Sequence, residues 1–435
     1  MTESQIRERV LAEVDALADD LVQMTIDTVR IPSVNPTYPG IDQEAARGGE
    51  TRVNEFCKPL MENVGLETDL WEAEEGRANL AGTLRGAGGG RSLLFNGHVD
   101  VVPPGPDANW SKAGPWSGEV IDGKIWGRGS CDMKGGNAAA LTALRAVLQS
   151  GLHPKGDVIL EFVVGEEMMN TEAGTGAAIQ RGYTADAAIV AEASGPPHRL
   201  GIIPASPGLL YMALTVKGRA VHASMRDELI RAGGGGAAIG VSSIDKAQLI
   251  MDGLRQLEEE WGQTKSHPMF KRPGHFTIYP GFVQGGPNGP FVISEESRVE
   301  YAIWHPPQEP VEDVRAEIET HIARVAATDS WLRDNPPKVE WLLWWPPFDV
   351  SPDEPICKAL EAAYTGVFGT EAPYYGFAAV DDGAFLNRAG IPAITIGPGS
   401  LLVAHGPDEH VEIDELIDAA KIYALAIVEW CGVAS

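Results

Sequence analysis

The chain has 435 residues, 44% of them hydrophobic, and 34 Lys and Arg against 61 Asp and Glu give it a formal net charge of −27. This length exceeds one ordinary core, so two domains are expected, and the negative charge argues against nucleic acid or an anionic membrane as a partner. The sequence has no apolar run of about 18 residues, which argues against a transmembrane helix. Four scattered cysteines and an N-terminus without a secretory pattern favour a cytoplasmic location.

The first part of the chain predicts alternating helices and strands. In chain order, the predicted elements are helix 5–30, helix 50–64, strands 66–71 and 78–84, a strand from Ser92, helix 137–150, strand 157–164, helix 172–181 and strand 187–191. The strand from Ser92 leads directly into Gly97, His98 and Asp100. This alternation predicts an α/β fold with a mostly parallel sheet flanked by helices.

The pattern changes near residues 204–208 and predicts a separate inserted domain. Its predicted elements are strand 209–217, helix 243–260, strands 275–284 and 298–303, and helix 311–326. After Pro336 the α/β pattern resumes with strand 338–343, helices 353–368 and 383–389, strand 392–396 and helix 413–432. We therefore expect a discontinuous domain of residues 1–206 plus 331–435, and an inserted α+β domain of residues 207–330.

Five residues are candidate metal ligands, because most of them stand at or just beyond the ends of predicted strands. In chain order they are His98, Asp132, Glu167, Glu192 and His405. Taken singly, each has an ordinary alternative; Asp132, for example, opens a helix and would serve there as an N-cap. As a set they favour metal, because carboxylates collected at one sheet edge cost free energy unless they are paired or bind an ion.

Two histidines and three carboxylates suit a pair of divalent ions that share one carboxylate. This donor set is compatible with zinc, and also with cobalt or manganese. A further carboxylate must stay free of metal to take a proton from water and pass it to the leaving nitrogen. Adjacent Glu166 and Glu167 offer this division, with one binding metal and the other acting as the base.

Five segments carry a specific resemblance when they are taken together. They are Phe95-Asn-Gly-His-Val-Asp-Val-Val-Pro103, Gly127-Arg-Gly-Ser-Cys-Asp-Met-Lys-Gly-Gly136, Gly165-Glu-Glu167, Glu192 and Ala404-His-Gly-Pro-Asp-Glu409. They resemble the metal motifs of the acetylornithine deacetylase / succinyl-diaminopimelate desuccinylase family of co-catalytic metallohydrolases, which also includes aminoacylases and glutamate carboxypeptidases. The resemblance spans essentially the whole chain and implies a zinc-exopeptidase-like catalytic domain.

The resemblance implies a role for each candidate ligand. His98 and Glu192 would hold one metal ion. Glu167 and His405 would hold the other, and Asp132 would bridge both.

Three further roles follow from the same resemblance. Asp100 would orient His98, and Glu166 would be the general base that activates the water between the metals. The inserted domain, 207–330, would be a ferredoxin-like lid through which the chain forms a homodimer. Its His222 would reach the active site of the neighbouring subunit and stabilise the oxyanion.

The inserted domain departs from the family pattern at two positions that bind the substrate in the family. Phe291 and Trp304 stand where the family carries an Asn and an Arg that bind the substrate's carbonyl and carboxylate. Neither aromatic side chain can make a bidentate carboxylate contact. Either another residue, such as Asn288 or His305, substitutes, or the substrate lacks that carboxylate.

Residues 231–243 and 331–337 are more similar to the formylaminopyrimidine deformylase branch than to the amino-acid deacylases. The predicted function is a two-metal amidohydrolase that removes an acyl or formyl group from a small N-acylated amine or amino acid. One alternative is a hydrolytic deaminase, or another C–N hydrolase, acting on an aromatic substrate. The other is a non-catalytic metal-dependent binding protein, which the presence of Glu166 disfavours, since a binder has no use for a base.

Overall fold

The structure is a computed structural model, and it describes residues 2–272, 274–286 and 289–434. The chain divides into two compact units. Unit 1 comprises Met1–Ala205, Val350–Phe377 and Asp381–Ser435, and unit 2 comprises Ser206–Asp349 and Ala378–Val380.

Helices and strands alternate along most of the chain. The helices are α1 (Glu3–Ala16), α2 (Ala18–Val29), α3 (Gln43–Ala46), α4 (Gly49–Val64), α5 (Gly135–Gln149), α6 (Thr175–Arg181), α7 (Arg226–Ile230), α8 (Ser243–Thr264), α9 (Val311–Thr328), α10 (Pro355–Phe368), α11 (Gly383–Arg388) and α12 (Ile413–Cys431). The strands are β1 (Glu67–Glu74), β2 (Arg77–Leu84), β3 (Leu93–His98), β4 (Glu119–Ile121), β5 (Lys124–Trp126), β6 (His153–Pro154), β7 (Val158–Val163), β8 (Ala187–Val190), β9 (Ile202–Ser206), β10 (Gly208–Lys217), β11 (Val221–His222), β12 (Ile278–Gly285), β13 (Val292–Ile293), β14 (Glu296–His305), β15 (Lys338–Trp345), β16 (Phe348–Asp349), β17 (Tyr374–Gly376), β18 (Ala393–Thr395), β19 (His410–Glu412) and β20 (Val433–Ala434).

The main sheet of unit 1 is parallel at its centre. Its strands lie in the order β1-β2-β7-β3-β8-β18-β9, and β17 also pairs with β9. The neighbouring strands β7, β3, β8 and β18 run parallel, whereas β2 pairs antiparallel with both β1 and β7. The predicted α/β class with a mostly parallel sheet is confirmed. The carboxyl ends of β7, β3 and β8 consequently meet at one edge, where ligands bind in such sheets.

The core of unit 1 lies around β3, where Leu93 and Leu94 are fully buried. Helix α5 packs against β3 and α12, and its alanines allow this close approach. Gly97 is required at the end of β3, because a Cβ atom there would come within 2.0 Å of Asn137 Oδ1. The Asn137 amide donates to the carbonyl oxygen of His98 at 2.8 Å, which fixes the strand end that carries this histidine.

Unit 2 has the βαββαβ element order of a ferredoxin-like fold, formed by β10, α8, β12, β14, α9 and β15. Its sheet has the order β12-β14-β10-β15, and every pair in it is antiparallel. Residues of β14 alternate between buried and partly exposed, as expected of a strand with one covered face. Helices α8 and α9 pack together, and α8 also covers the sheet.

The boundary predicted at residue 330 differs from the end of unit 2, which extends to Asp349. The reason is β15, which pairs with β10 from Leu209↔Trp345 to Thr215↔Lys338 and so completes the antiparallel sheet. The sequence predicted a strand over 338–343, but an apolar run does not indicate which sheet the strand joins.

The single helix predicted over residues 5–30 is divided at Leu17 into α1 and α2. The backbone of Leu17 departs from helical geometry, with φ −96° and ψ 3°. Its N–H is shared between the carbonyl oxygens of Glu13 and Val14. Buried residues continue on both sides of the break, which is why the periodicity did not reveal it. Among the described residues, no helix is both long and apolar enough to cross a membrane.

Candidate metal centre

Three candidate ligands follow neighbouring parallel strands of unit 1. His98 is the last residue of β3, Glu167 lies in the turn after β7, and Glu192 follows β8. Because β7, β3 and β8 are adjacent and parallel, the three side chains converge at one sheet edge.

Asp132 and His405 come from two loops that a buried ion pair connects. Arg128 pairs with Glu409, and their side chains are 1% and 0% exposed. Arg128 Nη2 also donates to the carbonyl oxygen of His405 at 3.1 Å. Glu409 Oε1 accepts the main-chain N–H groups of Cys131 and Asp132 at 3.1 and 3.3 Å. The ion pair therefore holds both loops against each other.

The five candidate ligands form two groups that meet at Asp132. On one side, His98 Nε2 lies 3.1 Å from Asp132 Oδ1 and 3.3 Å from Glu192 Oε2. On the other side, His405 Nε2 lies 3.0 Å from Asp132 Oδ2 and 3.0 Å from Glu167 Oε2. Each carboxylate oxygen of Asp132 thus faces a different histidine.

The environment of His98 fits a metal ligand. Its Nδ1 lies 2.8 Å from the carbonyl oxygen of Asp100, which can only accept, so Nδ1 carries the hydrogen. In the neutral ring the buried Nε2 then has a lone pair, and no hydrogen bond of good geometry satisfies it among the described residues. This lone pair faces oxygens of Asp132 and Glu192. Burial lowers the pKa of His98, but Asp132 and Glu192 outweigh it and raise that pKa well above its usual range, so these oxygens stabilise a cation at Nε2, whether a proton or a metal ion.

Burial and neighbouring charge shift the pKa values within the cluster. Burial, reinforced by the charge of Asp132, raises the pKa of Glu192 to about 7, and burial likewise raises the pKa of Glu167. Burial lowers the pKa of His405, but Asp132 and Glu167 outweigh it and raise that pKa to about 12. Burial raises the pKa of Asp132, but the two imidazoles hold it well below its usual range. Such a cluster gains free energy from added positive charge, and divalent ions can supply it.

Glu166 lies beside these ligands at a slightly longer distance. Its Oε2 is 3.8 Å from His98 Nε2, and its side chain is 14% exposed. Burial raises the pKa of Glu166 well above its usual range, although His98 opposes the shift. The His405 side chain is 57% exposed, so the cluster is open to solvent on that side. A carboxylate with a raised pKa beside a solvent-accessible cluster is suited to proton transfer.

Asp100 orients His98 through its main chain and not through its side chain. The carbonyl oxygen of Asp100 lies 2.8 Å from His98 Nδ1, whereas the nearest carboxylate oxygen is 3.7 Å away. The carboxylate instead accepts the main-chain N–H groups of Gly165 and Glu167 at 2.9 and 3.2 Å, and the amide of Asn35 at 2.8 Å. Three donors leave the carboxylate little freedom to turn toward the imidazole.

His222 belongs to unit 2, and its predicted role at the metal site stays a prediction. It is exposed, and its Nδ1 lies 2.8 Å from Ser224 Oγ. The short strand β11 pairs His222 with Val292 of β13. The main-chain N–H of Ala223 donates to the carbonyl oxygen of Phe291 at 3.1 Å, so the backbones of Phe291 and His222 lie close together. Phe291 is 71% exposed.

His305 cannot substitute for the family's carboxylate-binding arginine, because it is fully buried. Its Nδ1 bonds with the carbonyl oxygen of Pro306 at 3.0 Å, and its ring packs against Gly208. The other substitute, Asn288, lies outside the described residues. Trp304 is partly exposed.

Asn35, Arg128 and Glu409 support the centre, although their sequence context predicts no role for them there. Arg128 and Glu409 fall inside the motifs around Asp132 and His405, but a single charged residue in a motif does not show that it pairs with a distant part of the chain. Asn35 lies between two prolines, a context that predicts only a turn. Buried polar residues of this kind become recognisable only when their partners are known.

Comparison with known proteins gives the family. Residues 94–429 match peptidase family M20/M25/M40. The N-formyl-4-amino-5-aminomethyl-2-methylpyrimidine deformylase of Halalkalibacterium halodurans is 34% identical over 443 residues, which cover 99% of each chain. The enzyme of the same name from Bacillus subtilis is 36% identical over 393 residues, covering 87% of this chain and 89% of the relative.

The fold also matches a solved structure. Human carnosine dipeptidase 1 superposes with a TM-score of 0.74 at 17% identity, over 98% of this chain and 99% of that one. At this identity the match concerns the fold alone.

These matches confirm the predicted family and its deformylase-like branch. They also confirm the predicted enzyme class, a deacylase-like metallohydrolase, and they do not favour a deaminase. The chain belongs to peptidase family M20/M25/M40 and is a metal-dependent hydrolase that acts on amide bonds other than peptide bonds.

Proposed function

We propose that this enzyme removes the formyl group from an N-formylated aminomethylpyrimidine and releases formate and the free amine. The observation that carries the proposal is the similarity, over 99% of the chain, to a deformylase of N-formyl-4-amino-5-aminomethyl-2-methylpyrimidine. A substrate of this class has no carboxylate, which agrees with Phe291 and Trp304 standing where the family pattern places carboxylate- and carbonyl-binding residues.

The donor set supports two divalent ions per chain. His98 and Glu192 would hold one ion, Glu167 and His405 the other, and Asp132 would contribute one oxygen to each. Mixed imidazole and carboxylate donors suit zinc best, and cobalt or manganese is compatible. When bound, such ions polarise a carbonyl oxygen and lower the pKa of water, to about 7 in zinc hydrolases.

Glu166 is the proposed general base. Its carboxylate takes a proton from the attacking water, whose oxygen forms a bond to the formyl carbon. The same proton then passes from Glu166 to the nitrogen as the C–N bond breaks, so the amine leaves in neutral form. The raised pKa of Glu166, caused by burial, supports the second step, because the protonated carboxyl group is then stable enough to act as an acid.

His222 of unit 2 would act at the active site of the neighbouring subunit, as the family resemblance implies. His222 would donate to the developing oxyanion, and its position next to Phe291 supports a site that holds an aromatic ring near the reacting carbonyl. Phe291 would stack on the pyrimidine, since a large exposed aromatic side chain gains free energy when a ring covers it.

A homodimer would form through unit 2. Strand β12 is at one edge of the four-stranded sheet, and it exposes Tyr279, Phe282 and Val283. An apolar edge strand pairs readily with another strand, so a second copy of this chain is the proposed partner. The four cysteines are buried free thiols, which supports a reducing, cytoplasmic location.

The test is an activity screen of the metal-loaded enzyme against N-formyl, N-acetyl and N-succinyl amines, each with and without a free carboxylate. We expect the highest kcat/KM for an N-formyl aminomethylpyrimidine, with one formate released per amine. Ammonia release without formate would instead identify a deaminase. Absence of turnover across the whole panel with both metals bound would favour the binding protein.

A further inference from the structure

The segment that follows α2 lies against the strand end that carries the metal centre. The main-chain N–H of Asn35 donates to the carbonyl oxygen of Val101 at 3.0 Å, and Val101 N–H donates to the carbonyl oxygen of Ser33 at 3.0 Å. Ser33 Oγ donates to the carbonyl oxygen of Val99 at 2.6 Å. These bonds bury Ser33 and Asn35 completely.

The side chain of Asn35 is oriented by its own surroundings. Its Oδ1 accepts two hydrogen bonds from Thr37, one from the main-chain N–H at 3.0 Å and one from Oγ1 at 2.8 Å. The amide nitrogen must therefore point the other way, where it donates to Asp100 Oδ2 at 2.8 Å.

The carboxylate of Asp100 in turn holds the turn that carries the proposed base. Its Oδ1 accepts the N–H of Gly165 at 2.9 Å, and its Oδ2 accepts the N–H of Glu167 at 3.2 Å. Glu167 Oε1 is occupied by the N–H of Val102 at 3.1 Å, which leaves Oε2 facing His405. The main chain on both sides of Glu166 is thus fixed by one carboxylate.

We propose that Asn35 is a positioning residue that acts through Asp100 to set the orientation of Glu166 and Glu167. Without the Asn35 amide, a buried lone pair of Asp100 loses its donor and the carboxylate can rotate, which releases the N–H groups of Gly165 and Glu167. A displacement of about 1 Å in a reacting group is enough to cost two orders of magnitude in rate. The expected effect on kcat rests on the proposed hydrolysis. The expected effect on metal retention follows from the geometry and does not depend on the substrate.

The first test compares Asn35→Ala, Asn35→Asp and the control Ser33→Ala in the metal-loaded enzyme. We expect kcat to fall by about 10- to 100-fold in Asn35→Ala with KM changed by less than about threefold, because partners of this kind typically carry such effects. Ser33→Ala removes a bond of the same docked segment but leaves the Asn35–Asp100 contact, so its kcat should stay within about threefold of the wild type.

Asn35→Asp separates hydrogen bonding from packing. It has the shape of the native residue, but it places a second carboxylate against Asp100 where the donor was. We expect it to lose at least as much kcat as Asn35→Ala. An Asn35→Asp enzyme with kcat close to wild type would overturn the proposal, because the shape of the side chain would then suffice without the donated hydrogen bond. A Ser33→Ala enzyme as slow as Asn35→Ala would also overturn it, because the effect would then come from the attachment of the whole segment.

The second test is a double-mutant cycle with Asp100→Asn. If Asn35 acts through Asp100, then Asn35→Ala combined with Asp100→Asn should be no slower than Asp100→Asn alone, within about twofold. If the fold reduction in kcat of the double variant equals the product of the two single reductions, Asn35 acts by another route.

The third measurement does not depend on any substrate. The rate at which a chelator removes metal should rise about tenfold or more in Asn35→Ala and Asn35→Asp, and not in Ser33→Ala, because Glu167 is held by the same carboxylate. Equal release rates in the four proteins would contradict the proposal. If the wild type fails to hydrolyse N-formyl amines, the proposed function is wrong, and this measurement still decides the role of Asn35.

Discussion

Asp132 Oδ2 lies 3.0 Å from His405 Nε2, although the two residues come from loops far apart in the sequence. The other oxygen of the same carboxylate lies 3.1 Å from His98 Nε2. The two oxygens of one carboxylate therefore face two different imidazoles.

Asp132→Ala is expected to release both metal ions together, because both groups of ligands lose an oxygen at once. Elemental analysis of the purified variant would measure metal per chain. Asp157→Ala is the matched control, since this carboxylate pairs with Arg85 at the surface. Two ions per chain in Asp132→Ala would contradict the bridging role.

Glu166→Ala is expected to keep its metal and lose turnover. A general base contributes about 10²- to 10⁴-fold, so kcat should fall by at least that range while metal content stays unchanged. Glu172→Ala, an exposed glutamate a few residues later, serves as the control and should behave as the wild type. A metal-replete Glu166→Ala enzyme with nearly normal turnover would rule out the proposed mechanism.

Arg128→Gln is expected to destabilise the protein strongly, because it leaves the buried Glu409 without its charged partner. Breaking a buried ion pair costs about 3–5 kcal/mol, and equilibrium unfolding in urea would measure the loss. Arg145→Gln breaks the pair with Asp20, whose side chains are 38% and 59% exposed, and should cost less than about 1 kcal/mol. Similar small losses in both variants would show that the Arg128–Glu409 pair does not hold the two loops.

Glu161 and Asn96 are register partners on β7 and β3, and both are fully buried. Asn96 Nδ2 donates to Glu161 Oε2 at 3.2 Å, while Asn96 Oδ1 and Glu161 Oε1 have no hydrogen-bond partner among the described residues. A buried carboxylate with an unpartnered oxygen is costly to ionise, which favours the protonated form of Glu161. Burial raises the pKa of Glu161 from 4.5 to about 8, in agreement with a protonated side chain.

Between these two pKa values the folded protein holds a proton that the unfolded chain has released, so this carboxyl group makes stability fall as pH rises. Glu161→Gln keeps a donor and an acceptor and does not ionise. The difference in free energy of unfolding between Glu161→Gln and the wild type should increase, in favour of the variant, by up to about 1.4 kcal/mol per pH unit from pH 5 to pH 8. Above pH 8 this difference should stay constant. Urea unfolding at several pH values measures this gain, and parallel curves for the two proteins would refute it.

Phe291→Ala is expected to raise KM for an N-formyl aminomethylpyrimidine by about 2- to 10-fold, the size of one aromatic contact, with little change in kcat. Phe291 is 71% exposed, so the free energy of unfolding should not change. An aliphatic N-formyl amine is the control substrate, and its KM should be unaffected. An equal rise for both substrates would argue against ring stacking.

The sequence by itself indicated the candidate ligands and their order, and it determined the family. Residues such as His98, Glu167 and Glu192 follow apolar strands, and parallel strands bring such positions to one edge whatever the details of packing. The motif around Asp132 and the one around His405 completed the set. Local periodicity also predicted helices such as α4 and α10, because each of them buries one face.

Only the tertiary structure decided which residues position the candidate ligands and the proposed base. Asn35 and Asp100, like Arg128 and Glu409, meet across long stretches of chain, and no local pattern indicates such a pairing. The same is true of β15, whose apolar run fits either sheet until its partner β10 is known. Hydrogen bonds and ion pairs between distant segments depend on how the elements assemble. Each candidate ligand, by contrast, is indicated by its residue type and its local motif.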